Sequence, residues 1–233
     1  MEGLFNPKMV NPFEYVDVHD HICMVYQTRD EQLSSLVPFI KAGLEHGEKC
    51  IYLGTENTVP SLVDNMRDYG IDADSAIAAG ALEIAKAQDI YFKKSSLPTK
   101  RVIMYLKEAT NLAKEEGFPG VRAACEMNWA LGNYPRVERM MEFEGNLTQF
   151  TYENDLAMMC QYKVNNFGPQ LTIDAINIHP MVIVNGLICK NYYYISPEDF
   201  LKLDRAYLEV KKTLDNILND NVLALARNGK RYE

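Results

Sequence analysis

Two histidines and two cysteines are the residues in this chain best suited to chemistry. His21 and Cys23 lie two apart at the start of an apolar run, His21-Ile22-Cys23-Met24-Val25-Tyr26. Cys160 lies in a second such run, Leu156 to Tyr162, and His179 stands before Pro180. If these runs are neighbouring strands, a thiol and an imidazole can meet, which permits nucleophilic or redox chemistry. His19, His21 and Cys23 alternate, so they share one side of an extended chain and form a weak candidate set for zinc or another borderline metal. His179 has a competing structural role, since an imidazole at a helix end can bond the last carbonyls. No Ser-His-Asp arrangement and no Gly-x-Ser-x-Gly element accompanies them.

A further set stands at the ends of apolar runs: Tyr26, Thr55 and Glu56, Glu126 with Asn128 and Trp129, and Tyr162. Arg122 and Glu126 are four apart on one strand and face the same way; either they pair with each other or they line a cavity. In an open parallel sheet ligands bind beyond the carboxyl ends of the strands. An aromatic set with two carboxylates and few cations suits a small apolar or cationic molecule better than a phosphate.

The elements that must position these residues alternate. Strands are expected at 21–26, 50–55, 82–85 (weakly), 121–127 and 156–162, with helices at 29–46, 60–69, 98–116, 135–149 and 169–178 and a helical turn within 72–79. On the 98–116 helix, Val102, Tyr105, Leu106, Ala109, Leu112 and Ala113 mark one face. Residues 181–189 read as a hairpin around Gly186. Strand–helix alternation implies right-handed crossovers and an α/β fold, a mostly parallel central sheet with helices on both faces.

The first strand–helix turn, where a nucleotide hydrolase would carry a glycine-rich loop with a lysine, is Gln27-Thr28-Arg29-Asp30-Glu31-Gln32-Leu33, without glycine and with two carboxylates. Those acids suit the helix dipole and compete with phosphate for the same end. The pattern argues for binding or sensing and against hydrolysis.

After residue 195 the composition changes. Ser196-Pro197-Glu198-Asp199 is a helix start, and Leu203, Tyr207, Val210, Leu214 and Ile217, with Asn221, follow the spacing of a coiled-coil seam. The chain therefore divides into a domain over 1–195 and a closing helix over 196–233, which either packs on its own domain or serves as a dimerisation or signalling coil.

The chain has 233 residues, a net charge of −8 and 47% hydrophobic residues. The acidic balance disfavours direct nucleic-acid binding. No run is long and apolar enough for a membrane span, and the first residues do not read as a secretion signal. A cytoplasmic location is expected. Cys23, Cys50, Cys125, Cys160 and Cys189 are odd in number, and a disulfide framework is not expected.

Several stretches in order resemble the MEDS family of methanogen and methylotroph (DcmR-like) sensory domains. They are His21-Ile22-Cys23 with Tyr26, Pro38-Phe39 through Gly43-Leu44, Gly47-Glu48-Lys49-Cys50, Arg122 with Glu126-Met127-Asn128-Trp129-Ala130-Leu131, Cys160-Gln161-Tyr162, His179-Pro180 and Asn191-Tyr192-Tyr193. The Gly-Leu-x-x-Gly-Glu segment also resembles KaiC/RecA-type ATPases, of which such domains look like degenerate cousins. The resemblance implies a signal-input domain for a small hydrocarbon-derived or methylated molecule, relaying to a histidine kinase or DNA-binding regulator on the same or a separate chain, with no catalytic residues and no cofactor. Carried over by position, the ligand-contact candidates are His21, Tyr26, Arg122, Glu126, Trp129, Cys160, Tyr162 and His179. A thiol- or metal-dependent enzyme on the same scaffold is the alternative.

Overall fold

The structure, a computed structural model, describes residues 11–55, 57, 59–91, 98–132, 137–202 and 214. Seven strands form one sheet: β1 (His21–Tyr26), β2 (Lys49–Gly54), β3 (Leu82–Lys86), β4 (Val121–Glu126), β5 (Leu156–Lys163), β6 (Met181–Val184) and β7 (Leu187–Lys190). Their spatial order is β3-β2-β4-β5-β1-β6-β7. Every pairing is parallel except the β6–β7 hairpin. The four central strands are almost wholly buried, while β3, β6 and β7 are half exposed. That is why the central strands read as continuous apolar runs: in a sheet covered on both faces, both sides of a strand must be apolar.

The helices are α1 (Arg29–Glu45), α2 (Val59–Asp68), α3 (Ala73–Ala78), α4 (Ala87–Tyr91), α5 (Pro98–Glu115), α6 (Val137–Glu153), α7 (Val164–Ile178) and α8 (Pro197–Lys202). One face of the sheet packs under α1 to α3 through Ile22, Met24, Tyr26, Leu36, Phe39 and Tyr52. The other packs under α5 to α8 through Cys23, Cys160, Tyr162, Leu106, Phe143 and Phe200. Period-two alternation sends neighbours on β1 to opposite cores, so His21 and Cys23 belong to the α6–α7 side and Ile22, Met24 and Tyr26 to the α1 side.

The structure adds three short elements to the expected ones, a 3₁₀ turn at Pro12–Tyr15, α4 and a 3₁₀ turn at Met127–Gly132. The third strand is complete at Leu82–Lys86 and the terminal hairpin forms as read. Helix α7 begins earlier than Pro169. It consists of two helical pieces meeting at Gly168, whose φ of 72° only glycine adopts without strain. Leu112, expected on the buried face of α5, is exposed, while Val102, Leu106, Ala109 and Ala113 are buried. Of the closing helix, α8 and Leu214 are described; the remaining seam positions lie outside the described residues.

Candidate functional site

The sheet divides the residues expected around one ligand into two separate constellations. Tyr26, Arg122 and Glu126 belong to the α1–α3 side; His21, Cys160, Tyr162 and His179 belong to the α5–α8 side. The side chain of Trp129 lies outside the described residues. A single pocket at the carboxyl edge is therefore replaced by two sites, and the reason is strand alternation: His21 and Tyr26 are five apart and must point oppositely.

At the carboxyl edge, Glu126 ends β4 and is fully buried. One carboxylate oxygen accepts from Gln32 Nε2 at 3.0 Å, Asn57 Nδ2 at 3.0 Å and the Tyr52 hydroxyl. The other accepts from the Thr55 backbone N–H at 2.7 Å and the Thr55 hydroxyl. A carboxylate so surrounded is a brace between α1, β2 and β4. The turn before α1 is likewise filled from within. Thr28 Oγ1 accepts from the Glu31 N–H at 3.2 Å, and Glu31 Oε2 accepts from the Gln27 N–H at 2.8 Å. The turn at that helix N-terminus already carries a capping hydroxyl and the chain's own carboxylate.

Arg122 and Glu126 have separate partners. Arg122 Nε donates to Glu48 at 2.5 Å, its Nη atoms donate to the carbonyls of Phe13 and Val16 at 3.0 Å each, and its guanidinium lies 5.1 Å from the Phe39 ring centre. It fastens the first described residues to the sheet. Gly43 makes room for it: a Cβ there would come within 2.7 Å of Arg122 Cδ.

The second constellation is assembled from four elements. His21 opens β1, Cys160 lies on β5 beside Cys23, His179 ends α7, and Glu144 projects from the middle of α6. All four are buried. His21 Nε2 is 3.4 Å from Cys160 Sγ and 3.5 Å from Glu144 Oε2, and His179 Nε2 is 3.4 Å from the same oxygen. The imidazoles pack at 4.2 Å between centroids.

The surrounding hydrogen bonds fix both tautomers. His179 Nδ1 lies 2.7 Å from the Ala175 carbonyl, which can only accept, so Nδ1 carries the proton. Thr148 donates its hydroxyl proton to the Glu144 carbonyl at 3.0 Å, so it accepts from His21 Nδ1 at 2.8 Å. Both Nε2 atoms therefore turn inward, toward Glu144 Oε2. The Tyr162 hydroxyl donates to the far oxygen of Glu144, leaving Glu144 Oε2 and His179 Nε2 buried and without a hydrogen-bond partner. Burial pulls the His21 imidazole well below its usual range, with His179 adding to the effect. Burial also pushes the thiols of Cys160 and Cys23 well up, reinforced by Glu144. The surroundings favour a neutral His21 imidazole and a protonated thiol, an environment unlike that of an activated cysteine nucleophile.

The centre borders the amino edge of the sheet through His21. A cleft of about 400 Å³ opens between Asp20, Thr148, Gln149, Tyr152, Met181 and Tyr194, with His21 in its lining. His19, proposed with His21 and Cys23 as a metal set, bonds the Thr151 carbonyl at 3.1 Å instead and lies outside the group of potential ligands.

Glu144, the member that sequence reasoning missed, sits among Met140, Met141, Phe143 and Leu147, all buried on α6. An acid interrupting an apolar helical stripe was the legible signal, and a buried acid calls for partners.

The strand order, the mostly parallel sheet and the helices on both faces define a KaiC-like α/β fold. The solved KaiC-like protein PH0186 from Pyrococcus horikoshii shares this fold, with a TM-score of 0.51 and 15% identity over 70% of this chain and 69% of that one. The chain belongs to the MEDS family, the methanogen/methylotroph, DcmR sensory domain, whose model matches residues 20–180. It is also 26% identical over 167 residues to the transcriptional repressor DcmR of Methylorubrum extorquens, which covers 69% of this chain and 58% of the repressor. The chain thus spans a little over half the length of that relative. Family and relative give it a sensory or regulatory role. Among the described residues, no helix is long and apolar enough to cross a membrane.

Proposed function

We propose that this chain is a signal-input domain that binds a small hydrocarbon-derived or methylated molecule in the amino-edge cleft, without turnover. The observation that carries the reading is the cleft itself: its volume of about 400 Å³ suits a small ligand, and its lining includes His21 of the donor cluster.

Two contacts support a route from that cleft to the closing helix. Pro197, the first residue of α8, lies so close to Gly145 that a Cβ there would meet its Cβ at 2.5 Å, and Gly145 follows Glu144 directly. On the other side, Asn191 donates to the carbonyls of Ile176 at 2.7 Å and His179 at 2.8 Å, and the Ile195 N–H donates to the Asn177 carbonyl at 2.7 Å. The segment leading into α8 is thereby tied to the elements bearing Glu144 and His179. A ligand that favours one placement of those side chains shifts the placement of α8 by its differential affinity. The output is a histidine kinase or DNA-binding regulator, on the same or a separate chain, with a homodimer formed through the closing helix as one means of relay.

The test is thermal unfolding of the full chain with dichloromethane and methylamine as halogenated and methylated probes, beside a Gln149→Trp variant that fills the cleft from an exposed position. At least one probe should raise the wild-type melting temperature and leave the variant unmoved. No shift with either probe, or an equal shift in the variant, rejects the reading.

A further inference from the structure

We propose that His21, Glu144, Cys160 and His179 form a binding site for a single borderline divalent transition metal, zinc foremost. The argument begins with an imbalance. Glu144 Oε2 and His179 Nε2 face each other across 3.4 Å, both buried and neither in a hydrogen bond. Buried polar atoms without a partner are costly, and a cation placed between these two would satisfy both.

The geometry suits a metal ion in that place. Each of the four residues offers one ligand atom, and all four atoms lie within 4.8 Å of one another. A tetrahedron with metal–ligand bonds of about 2.0–2.3 Å has edges of roughly 3.3–3.8 Å. The contacts at 3.4, 3.5 and 3.4 Å already have that length. Small side-chain movements would bring the remaining edges into range.

Chemistry and surroundings agree. Two imidazole nitrogens, a thiolate and a carboxylate form a mixed N/S/O set that suits zinc and excludes calcium and magnesium, which require oxygen. As the sulfur–metal bond forms, the Cys160 proton leaves to solvent. The divalent charge is then balanced by one thiolate and one carboxylate, so the buried centre carries no net charge. The outer shell is also in place. The Ala175 carbonyl and the Thr148 hydroxyl orient the two imidazoles from Nδ1, and Tyr162 holds the far oxygen of Glu144. Such partners fix tautomer and ring direction in metal sites. The cleft beside His21 supplies an entry path.

The site does not depend on the ligand proposed for the cleft, and its test is separate. The full chain is stripped with a chelator and titrated with cobalt(II), followed by displacement with zinc. The expected result is one equivalent bound, with tetrahedral ligand-field bands and a sulfur-to-cobalt charge-transfer band, both removed by zinc. Cys160→Ser should lose the charge-transfer band, whereas Cys189→Ser, at the more exposed thiol, should keep it. Thr148→Val, which removes the hydroxyl that orients His21, should weaken affinity about 10–100-fold with unchanged circular dichroism. Binding well below one equivalent in the wild type would overturn the proposal. So would a charge-transfer band lost in Cys189→Ser but kept in Cys160→Ser, or unaltered affinity in Thr148→Val. If metal binds and neither small probe shifts the melting temperature, only the reading of the cleft falls.

Discussion

Gly145→Ala probes the link between the donor cluster and the closing helix. The added Cβ would stand 2.5 Å from Pro197 Cβ and 2.8 Å from its Cγ. An ordinary contact begins near 3.4 Å, so α8 must retreat by roughly 1 Å. Overpacking of this kind costs about 1–3 kcal/mol. The opposing term lies in α6, where alanine replaces glycine in a helix interior and gains about 1 kcal/mol. The gain stabilises α6 while the cost falls on the α8 contact, where Phe200 is buried at 7% exposure. Global stability should therefore move by less than about 1–2 kcal/mol. Local opening of α8 should become easier by about 1–2 kcal/mol, a factor of roughly 5–30. The assay is native-state hydrogen exchange, and a direct reporter is the Phe200 amide, which donates to the Ser196 carbonyl at 2.9 Å. It should exchange faster while the amides of β4 and β5 hold their rates. Unchanged protection at Phe200, or an equal loss across the sheet, would refute the idea that α8 is a separately releasable element held at Gly145.

Arg122→Met should destabilise the fold by about 3–5 kcal/mol in urea denaturation, because it leaves Glu48 and the carbonyls of Phe13 and Val16 without the buried guanidinium; a loss below about 1 kcal/mol would show that these groups find other partners. A disulfide reagent at neutral pH should titrate Cys189 rapidly and the other four thiols only after denaturation, since Cys50 is pushed up to about 12 by burial and Cys23 and Cys160 are also raised; fast modification of a second thiol counts against that burial. Calorimetry with Mg-ATP should give no binding heat, since the Glu31 carboxylate bonds the Gln27 N–H in the turn before α1 and repels phosphate there; saturable binding there would show that the carboxylate can be displaced.

The α/β architecture was legible because buried parallel strands leave long apolar runs, and because Gly47, Gly70 and Gly117 end helices in the sequence as in the structure. The adjacency of β1 and β5 made the meeting of His21 with Cys160 conceivable before any coordinates. The position of the site was not legible. Sequence places residues at strand ends but does not say which helix covers which face, so Tyr26 and Glu126 were grouped with residues on the other side of the sheet. Glu144 was missed for a related reason: its partners come from β1, β5 and α7, each distant in sequence. Arg122 was recognised as needing a partner, but Glu48, in the turn before β2, became its partner only once β2 and β4 paired.

The two rims of this sheet have different freedoms. Along the carboxyl rim, Gln32, Tyr52, Thr55 and Asn57 lace three elements to one acid, so substitutions there are punished by lost stability before they can explore new binding. The opposite rim is bordered by side chains such as Gln149 and Tyr152 that brace little else, and these can vary at small structural cost. Sequence change without loss of the fold is thus channelled to the amino ends of the strands, away from the laced rim.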